Sequence, residues 1–373
     1  MSLKFWIVFV ISRYILIYMD LAQKNHLRAY GVVYNTLRKG QKVEWLLNYR
    51  GGSFLTDYSS EVEKLCKKMG VSYEIMGENE KKEIYKIIEN SNMNVLELEK
   101  APKIALYTSY IEGPWDDAVK LVLDYAKIPY DELHDEDILK GRLKEYQWLH
   151  IHHEDFTGQW GKMAAFYRNA IWYRKMVEYD RKIARKLGFK RVADMKLAVA
   201  KKIKEFVKNG GYLFAMCSGG ATFDIALAAE GIDIVDKPYD FTPPDPNCNK
   251  KLDFSKTLAF KNFKVITSPY IYEHSDIDVS KEALKRGPNT YFVLNEFSAK
   301  NDPIPTLLVQ NHTRLIKEFL GQDTGFRRDK LKKYVVILGE VEGTEEVKYI
   351  FGCYGKGFFV FLGGHDPEDL PIL

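Results

Sequence analysis

The chain has 373 residues, of which 46% are apolar and 28% are charged, and this composition excludes an intrinsically disordered protein. Its net charge is only +4, from 55 basic and 51 acidic residues that are interspersed along the sequence. Since no long basic block occurs, the charge pattern argues against a nucleic-acid partner. At about 150 residues per domain, the length predicts one large or two modest domains.

The cysteines give a second constraint. Cys66, Cys217, Cys248 and Cys353 are widely spaced and form no CxxC pair. This spacing argues against a disulfide framework and a structural zinc site, and it suits a reducing compartment such as the cytoplasm. The sequence also contains neither a P-loop nor a G-x-G-x-x-G motif, so it indicates no nucleotide cofactor.

Two short apolar runs stand at the N-terminus. Phe5–Ser12 (FWIVFVIS) and Tyr14–Met19 (YILIYM) are separated by Arg13, and this interruption argues against a membrane span. We interpret Tyr14–Met19 as the first buried strand of a cytoplasmic protein. In the alternative interpretation the first run is the core of a signal peptide, and the protein is secreted or periplasmic.

The first hundred residues alternate between strand and helix patterns. Ala22–Lys39 and Ser59–Met69 have helical spacing of apolar residues, whereas Val43–Leu47 and Val71–Ile75 are strand-like. We therefore predict an N-terminal β-α-β unit over residues 14–100, within the same α/β layer as the rest or packed against it.

The alternation begins again after residue 101. Lys103–Thr108, Trp148–His152 and Tyr212–Met216 are predicted strands, and Trp115–Lys127 and Val192–Lys208 are predicted helices. Such alternation is typical of an α/β fold with a mainly parallel sheet and helices on both faces.

The remainder of this predicted domain, 101–373, has two distinct parts. Residues 233–301 are rich in Pro, Asn and Asp, and we interpret them as an excursion from the sheet. Tyr334–Leu338, Val347–Cys353 and Phe358–Leu362 follow as strands separated by glycine-containing turns. Short turns of this kind predict late antiparallel strands.

Cys217 is the strongest candidate for chemistry. It follows the predicted strand Tyr212–Met216 and precedes Ser218, Gly219 and a predicted helix over Thr222–Ala229. A sharp strand-to-helix turn exposes a nucleophile and aims helix N–H groups at the attacked atom. We expect the helix terminus to lower the Cys217 pKa, and we assign the N–H groups of Ser218 and Gly219 as oxyanion donors. The alternative is a buried structural cysteine.

A candidate base follows the last predicted strand. His365 comes directly after Gly363-Gly364, and Asp366 and Glu368 stand beside it. Histidine is a suitable general base when a carboxylate orients it, so we assign His365 this role, with Asp366 or Glu368 as the orienting acid. In the alternative interpretation His365 is a surface-loop residue.

A polar run at 150–155 (HIHHED) is the third element. Strand alternation places His150 and His152 on one face and His153 on the other. The run lacks H-E-x-x-H spacing, so we predict a polar cleft lip and no metal site. Its candidate substrate contacts are His152, His153, Glu154 and Asp155, and further ones are Gln310 and His312.

Together these motifs resemble the class I glutamine-amidotransferase-like superfamily and, within it, the ThuA-like branch. The residues similar to ThuA-like proteins are the turn Tyr354-Gly355-Lys356-Gly357 and the strand end Gly364-His365-Asp366. The resemblance implies a flavodoxin-like α/β sheet and a cysteine-dependent amide or acyl hydrolase, or an amidotransferase-like protein, that acts on a small polar molecule.

The departures from that family define two alternatives. Ala215 and Ala221 stand where the G-x-C-x-G-x-Q motif has its first Gly and its Gln. The final motif of the family is His-x-Glu, whereas here Glu368 comes three residues after His365. A non-catalytic, carbohydrate-type ThuA-like binding protein is therefore one alternative. Another is a glutamine-dependent ligase of the asparagine synthetase B type, because Ser218-Gly219-Gly220 resembles its S-G-G-x-D-S loop. Thr222 and Phe223 replace the Asp and Ser of that loop.

Overall fold

The structure is a computed structural model that describes residues 12–111, 113, 117–287, 290–308 and 314–364. It divides into two compact units. The first comprises Met1–Ala101, Lys120–Pro129 and Glu296–Arg314. The second comprises Pro102–Val119, Tyr130–Asn295 and Leu315–Leu373. The apolar run Phe5–Ser12, except for Ser12 itself, lies outside the described residues, so the signal-peptide interpretation stays a prediction.

Most of the segments that the sequence predicts to be helical are helices in the described part of the chain. In chain order they are α1 (His26–Arg38), α2 (Ser60–Met69), α3 (Glu78–Glu89), α4 (Ala118–Ala126), α5 (Asp135–Leu139), α6 (Ala164–Tyr167), α7 (Ile171–Lys186), α8 (Val192–Lys208), α9 (Ser218–Ala228), α10 (Lys237–Asp240), α11 (Cys248–Lys251) and α12 (Ser280–Arg286). None of these described helices has the length and apolar character needed to cross a membrane.

The first unit contains a five-stranded sheet in its described part. Its strands are β1 (Arg13–Ile17), β2 (Val43–Leu47), β3 (Ser53–Asp57), β4 (Glu74–Gly77) and β5 (Asn94–Leu98). Their order is β4-β1-β3-β2-β5, and every neighbouring pair is antiparallel. β1 and β2 therefore run in the same direction, as the two strands of a β-α-β unit do, but they are not neighbours in the sheet. The physical reason is β3, absent from the predicted elements, which follows β2 after a tight turn and so returns beside it.

The second unit contains a larger mixed sheet. Its strands are β6 (Ile104–Tyr107), β7 (Tyr130–Leu133), β8 (Trp148–Ile151), β9 (Tyr212–Met216), β10 (Tyr291–Leu294), β11 (Leu315–Lys317), β12 (Phe326–Arg327), β13 (Val336–Glu340), β14 (Glu346–Tyr354) and β15 (Gly357–Leu362). The order is β11-β10-β13-β14-β15-β9-β8-β6-β7, and β12 pairs with β14.

This sheet changes character at β15. From β7 through β6, β8 and β9 to β15 the strands are parallel, whereas β15, β14, β13, β10 and β11 pair antiparallel. The α/β class and the late antiparallel strands are thus confirmed. The sheet is mixed rather than mainly parallel, because strands joined by short turns cannot run parallel.

Helices α8 and α9 pack into the core of the second unit. The core side of α8 carries Met195, Val199, Ile203 and Val207, a four-residue spacing that places them on one face. In contrast, α9 is buried along its whole length. Its apolar residues do not define a single face, which is typical of a helix inside a protein. The candidate nucleophile therefore precedes one of the most enclosed helices of the unit.

Candidate active site at the Cys217 turn

Cys217 lies at a strained junction between β9 and α9. The strand ends at Met216 as predicted, but the helix begins at Ser218, four residues earlier than Thr222. Cys217 has φ +50° and ψ −134°, a backbone conformation that non-glycine residues rarely adopt. Such strain costs on the order of 1–3 kcal/mol and concentrates at functional sites. The predicted strand–Cys–helix turn is therefore present, and its strained residue is Cys217, the candidate nucleophile.

The end of β15 is tied to this turn through the backbone. The Cys217 N–H donates to the carbonyl oxygens of Leu362 at 3.0 Å and Gly364 at 3.2 Å, and the Gly364 N–H donates to Asp323 O at 2.7 Å. The chain therefore enters the His365 segment from a residue that contacts Cys217. His365, Asp366 and Glu368 themselves lie outside the described residues, so their assigned roles stay predictions.

The Cys217 thiol is buried, with 6% of its surface exposed. Its sulfur lies 3.6 Å from the Gln322 carbonyl oxygen and can donate its proton there. Burial, together with the nearby Asp323 carboxylate, raises the thiol pKa well above its usual range. The expectation of a lowered pKa is thus wrong for this state. The Ser218 N–H does act in the expected direction, but desolvation outweighs it.

The two predicted oxyanion donors lie in the first turn of α9. N–H groups at such positions have no partner within the helix, so they are available to a substrate oxygen. The Ser218 hydroxyl donates to His153 O at 3.0 Å. A Cβ atom added at Gly219 would come within 2.8 Å of Ile151 Cγ2 and 3.1 Å of His152 O. Glycine at 219 therefore lets α9 approach the end of β8.

A buried group of polar side chains surrounds the same end of the sheet, and none of them except Asp155 was among the sequence candidates. We call this group the His274 cluster; its members are Asp155, His274, Asp278, Gln322 and Asp323. His274 is 1% exposed, its Nε2 lies 3.3 Å from Asp155 Oδ2, and its Nδ1 lies 3.8 Å from Asp323 Oδ2. Burial alone would lower the His274 pKa, but the Asp155 and Asp323 carboxylates raise it to about 9.

Asp155 is held by a dense set of donors. Its Oδ1 accepts from the Thr157 N–H at 2.7 Å and the Thr157 hydroxyl at 2.6 Å, and its Oδ2 accepts from the Gly161 N–H at 2.9 Å. Burial opposes ionisation, but the His274 charge and these donors hold the Asp155 pKa well below its usual range. The Asp155–His274 pair is therefore ionised near neutral pH.

The remaining two carboxylates of the cluster share a tighter space. The Asp323 N–H donates to Asp278 Oδ2 at 3.0 Å, and Asp323 has φ +55°. Burial and the charge on Asp323 raise the Asp278 pKa to about 7. Asp278 therefore holds a proton more readily than an ordinary carboxyl group does.

Gln322 connects the cluster to Cys217. Its carbonyl accepts from the thiol, and its side-chain Nε2 lies 3.5 Å from His274 Nδ1 and donates to Gly161 O at 3.3 Å. The local sequence pattern could not predict these contacts, because His274 is 119 residues from Asp155. His274 also lies in residues 233–301, which were predicted to form an excursion from the sheet.

The side chains of the 150–155 run lie in different environments in the folded protein. His150 stacks on Phe214, and burial lowers its pKa to about 3. His152 Nδ1 lies 3.5 Å from Asp117 Oδ1, and the rings of His152 and His153 stack at 3.6 Å. The prediction that these two rings lie on opposite faces is therefore wrong, because β8 ends at Ile151 and strand alternation ends with it.

Glu154 belongs to a different buried group from Asp155. It lies 3.7 Å from Lys196 Nζ, which also contacts both Asp135 oxygens at 3.0 and 3.1 Å and the Tyr107 hydroxyl at 2.8 Å. Burial raises the Glu154 pKa to about 7, in spite of Lys196. Of the predicted lip, the structure thus brings Asp155 to the His274 cluster and turns Glu154 away toward Lys196.

The remaining candidate substrate contacts, Gln310 and His312, lie outside the described residues. Within the part of the chain that is described, no group of three or more His, Cys, Asp or Glu side chains is arranged to hold a metal ion.

No protein-family model matches the chain, and no curated protein matches its sequence. Solved structures give remote likenesses. One is the cytoplasmic protein STM3548 from Salmonella typhimurium, with 12% identity, coverage of 70% of this chain and 87% of that chain, and a TM-score of 0.35. Another is STM1381 from Salmonella typhimurium LT2, with 13% identity, coverage of 70% and 86%, and a TM-score of 0.34.

A third likeness is to Gan42B, a GH42 beta-galactosidase from G. stearothermophilus. It has 12% identity, coverage of 72% of this chain and 28% of that chain, and a TM-score of 0.30. Likenesses this weak assign neither a family nor an activity to the chain.

Proposed function

We propose that this protein is a cysteine-dependent amide or acyl hydrolase, or an amidotransferase-like enzyme, built on a flavodoxin-like sheet of the glutamine-amidotransferase-like type. Support for the sheet comes from its parallel strands, whose spatial order is β7-β6-β8-β9-β15. Renumbered within this set, the order is 2-1-3-4-5, the flavodoxin-like order. Ligands of such sheets bind outside the carboxyl ends of the strands, which is where Cys217 lies.

The observation that carries the proposal is the backbone of Cys217. Its positive φ angle directs the strand sharply into α9, and its N–H bonds to the carbonyl of Gly364, the residue before His365. A strained residue at a strand–helix turn is typical of a catalytic nucleophile. The same contact joins Cys217 to Gly364, the last described residue before the candidate base.

The proposed reaction follows from these groups. His365 takes the thiol proton while Cys217 Sγ bonds to the carbonyl carbon, and the oxyanion accepts hydrogen bonds from the N–H groups of Ser218 and Gly219. Collapse of this intermediate breaks the carbon–nitrogen bond, and the amine leaves with the proton from His365. Water then attacks the thioester, which releases the acid and restores the thiol. Asp366 or Glu368 orients the imidazole throughout.

The raised pKa of the free thiol places a condition on this mechanism. A buried neutral thiol reacts slowly, because the thiolate is the nucleophile. The proton must therefore be removed by a base in direct contact when substrate binds. His365 is our candidate for this base.

The test is ammonia release from a panel of primary amides that starts with glutamine. Cys217→Ala and His365→Ala should each abolish turnover, and Cys353→Ala, at an exposed free cysteine, is the matched control that keeps it. A chloroketone analogue of the best amide should add to Cys217 in the parent and in the control variant. Turnover that survives Cys217→Ala, or a parent protein that neither turns over nor forms the adduct, would overturn the proposal.

A second candidate function rests on one observation. The Cys217 thiol is nearly enclosed and has a raised pKa, which are properties of a packing cysteine. In that case the protein is a non-catalytic ThuA-like binding protein for a carbohydrate-type molecule. A thermal-shift screen separates the two: sugars should stabilise the parent and Cys217→Ala equally, and iodoacetamide should leave Cys217 unmodified.

A further inference from the structure

A separate cavity lies in the second unit, along α7. Its volume is about 550 Å³, within the range of small-molecule sites. We call it the arginine cavity, and the lining residues that matter here are Arg174, Arg181, Arg185, Trp160, Phe241 and Tyr270. Cys217 does not line it. A ligand of this cavity would therefore bind apart from the proposed nucleophile.

The lining is strongly and unusually positive. Among its described residues, four arginines (Arg168, Arg174, Arg181 and Arg185) stand against the single acidic residue Glu178, a formal charge of +3. Lys186 and Arg191, nearby in the chain, form ion pairs with Glu136 and Asp194. Within the described part of the chain, the four cavity arginines form no ion pair within 4 Å. Arg168, Arg174 and Arg185 are exposed and therefore accessible to an anion from solution.

One of these arginines is held in place before any ligand binds. The Arg181 guanidinium lies 5.6 Å from the Trp160 ring centroid and 4.7 Å from that of Phe241, and it donates to Tyr239 O at 2.6 Å. Stacking on aromatic faces restrains the planar group, so less entropy is lost when it binds an anion.

The backbone beside the cavity is strained as well. Trp160, Gly161 and Lys162 have φ values of +48°, +62° and +60°, and consecutive residues of this kind are rare in L-polypeptides. The Trp160 indole N–H donates to Asp180 Oδ2 at 2.7 Å, which fixes the ring orientation. The strained segment therefore presents a fixed aromatic wall to the cavity, and strain of this kind concentrates at ligand sites.

We propose that the arginine cavity binds a small anion that carries a planar ring, of the nucleoside monophosphate or diphosphate class. Guanidinium groups match the geometry of phosphate oxygens and bind them through paired hydrogen bonds. Tyr270 is 82% exposed and Phe241, which has Arg181 over its ring, is 75% exposed, so both rings present surface on which a base can stack. Bases stack readily on aromatic side chains, because every base has a π-face. The site uses side-chain arginines in place of a glycine-rich phosphate loop.

Titration calorimetry with three probes tests the assignment on the full chain. AMP should bind at least about tenfold more tightly than adenosine or inorganic pyrophosphate, because only AMP engages both the arginines and the rings. The doubly substituted variant Arg174→Glu/Arg185→Glu should weaken AMP binding by at least about tenfold, because carboxylates replace two guanidinium groups that would bind the phosphate. Tyr270→Ala should weaken AMP but leave pyrophosphate unchanged.

Lys182→Glu is the matched control: it reverses a charge on the exposed part of the same helix, outside the cavity lining, and should leave AMP affinity within about twofold. Cys217→Ala should bind AMP like the parent, so this result is independent of the proposed hydrolase. No AMP binding at millimolar concentration, equal binding of AMP and pyrophosphate, or equal effects of the arginine variant and the control would each overturn the inference.

Discussion

Replacement of His274 by glutamine tests the electrostatics of the buried cluster most directly. Glutamine approximates the histidine in size and still donates a hydrogen bond, but it cannot carry the charge that lies between Asp155 and Asp323. The variant therefore leaves two buried carboxylates without their cation. An uncompensated buried charge is strongly destabilising.

The expected magnitude follows from the His274 pKa, which rises from an ordinary 6.5 to about 9 in the folded protein. At 1.36 kcal/mol per pKa unit, the charged histidine stabilises the fold by up to about 3 kcal/mol. Because the folded pKa is the higher one, this stabilisation is complete below about pH 6.5 and is lost as the pH rises through about 9.

Asp155 titrates in the opposite sense. Its folded pKa is lower than the ordinary value of 3.8, so its contribution is present above about pH 4 and is lost as the pH falls below that. Both contributions describe the same ion pair, so they are not added. The pair is therefore most stabilising between about pH 4 and 6.5.

Urea unfolding followed by tryptophan fluorescence measures the effect at pH 6 and at pH 10. At pH 6, His274→Gln should lower the unfolding midpoint by on the order of 1 M urea, which corresponds to roughly 1–3 kcal/mol. At pH 10 the parent histidine is itself neutral, so the two proteins should unfold at nearly the same concentration.

His134→Gln is the matched control, because the His134 Nδ1 lies 2.9 Å from the Thr108 carbonyl oxygen and not against a buried carboxylate. Its effect should be small and nearly equal at the two pH values. If His274→Gln is as stable as the parent at pH 6, or equally destabilised at both pH values, the assignment of a charged histidine is incorrect.

Three further substitutions test the packing around the site by urea unfolding at pH 7. Lys196→Ala removes the cation of a buried group of carboxylates and should cost about 3–5 kcal/mol, whereas Lys201→Ala, at an exposed ion pair, should cost under about 1 kcal/mol. Gly219→Ala should cost about 1–3 kcal/mol and more than Gly220→Ala, whose new Cβ would lie 3.3 Å from its nearest neighbour. Asp224→Ala leaves three buried backbone N–H groups without an acceptor and should cost at least about 2 kcal/mol; a neutral result would show that water replaces the carboxylate.

Several features of the fold follow from local sequence alone. The apolar run 212–216 is a buried strand with the predicted bounds, and Val192–Lys208 is the predicted helix. The four-residue spacing of apolar side chains in that helix requires a single buried face, whatever lies opposite. The Cys217 turn was predictable for the same reason, since a buried strand followed by small residues leaves the chain little alternative to a sharp turn.

Strand direction and side-chain proximity depended on the tertiary structure. In the N-terminal sheet β3 lies between β1 and β2 and pairs antiparallel with both, and periodicity carries no information on which strands are neighbours. His274 meets Asp155 across 119 residues of chain, and Cys217 meets Asp323 across 106. The sequence by itself thus determined that Cys217 stands at a strand-to-helix turn, whereas the fold decided the charge state of its thiol, because desolvation and neighbouring carboxylates act only once the chain is packed.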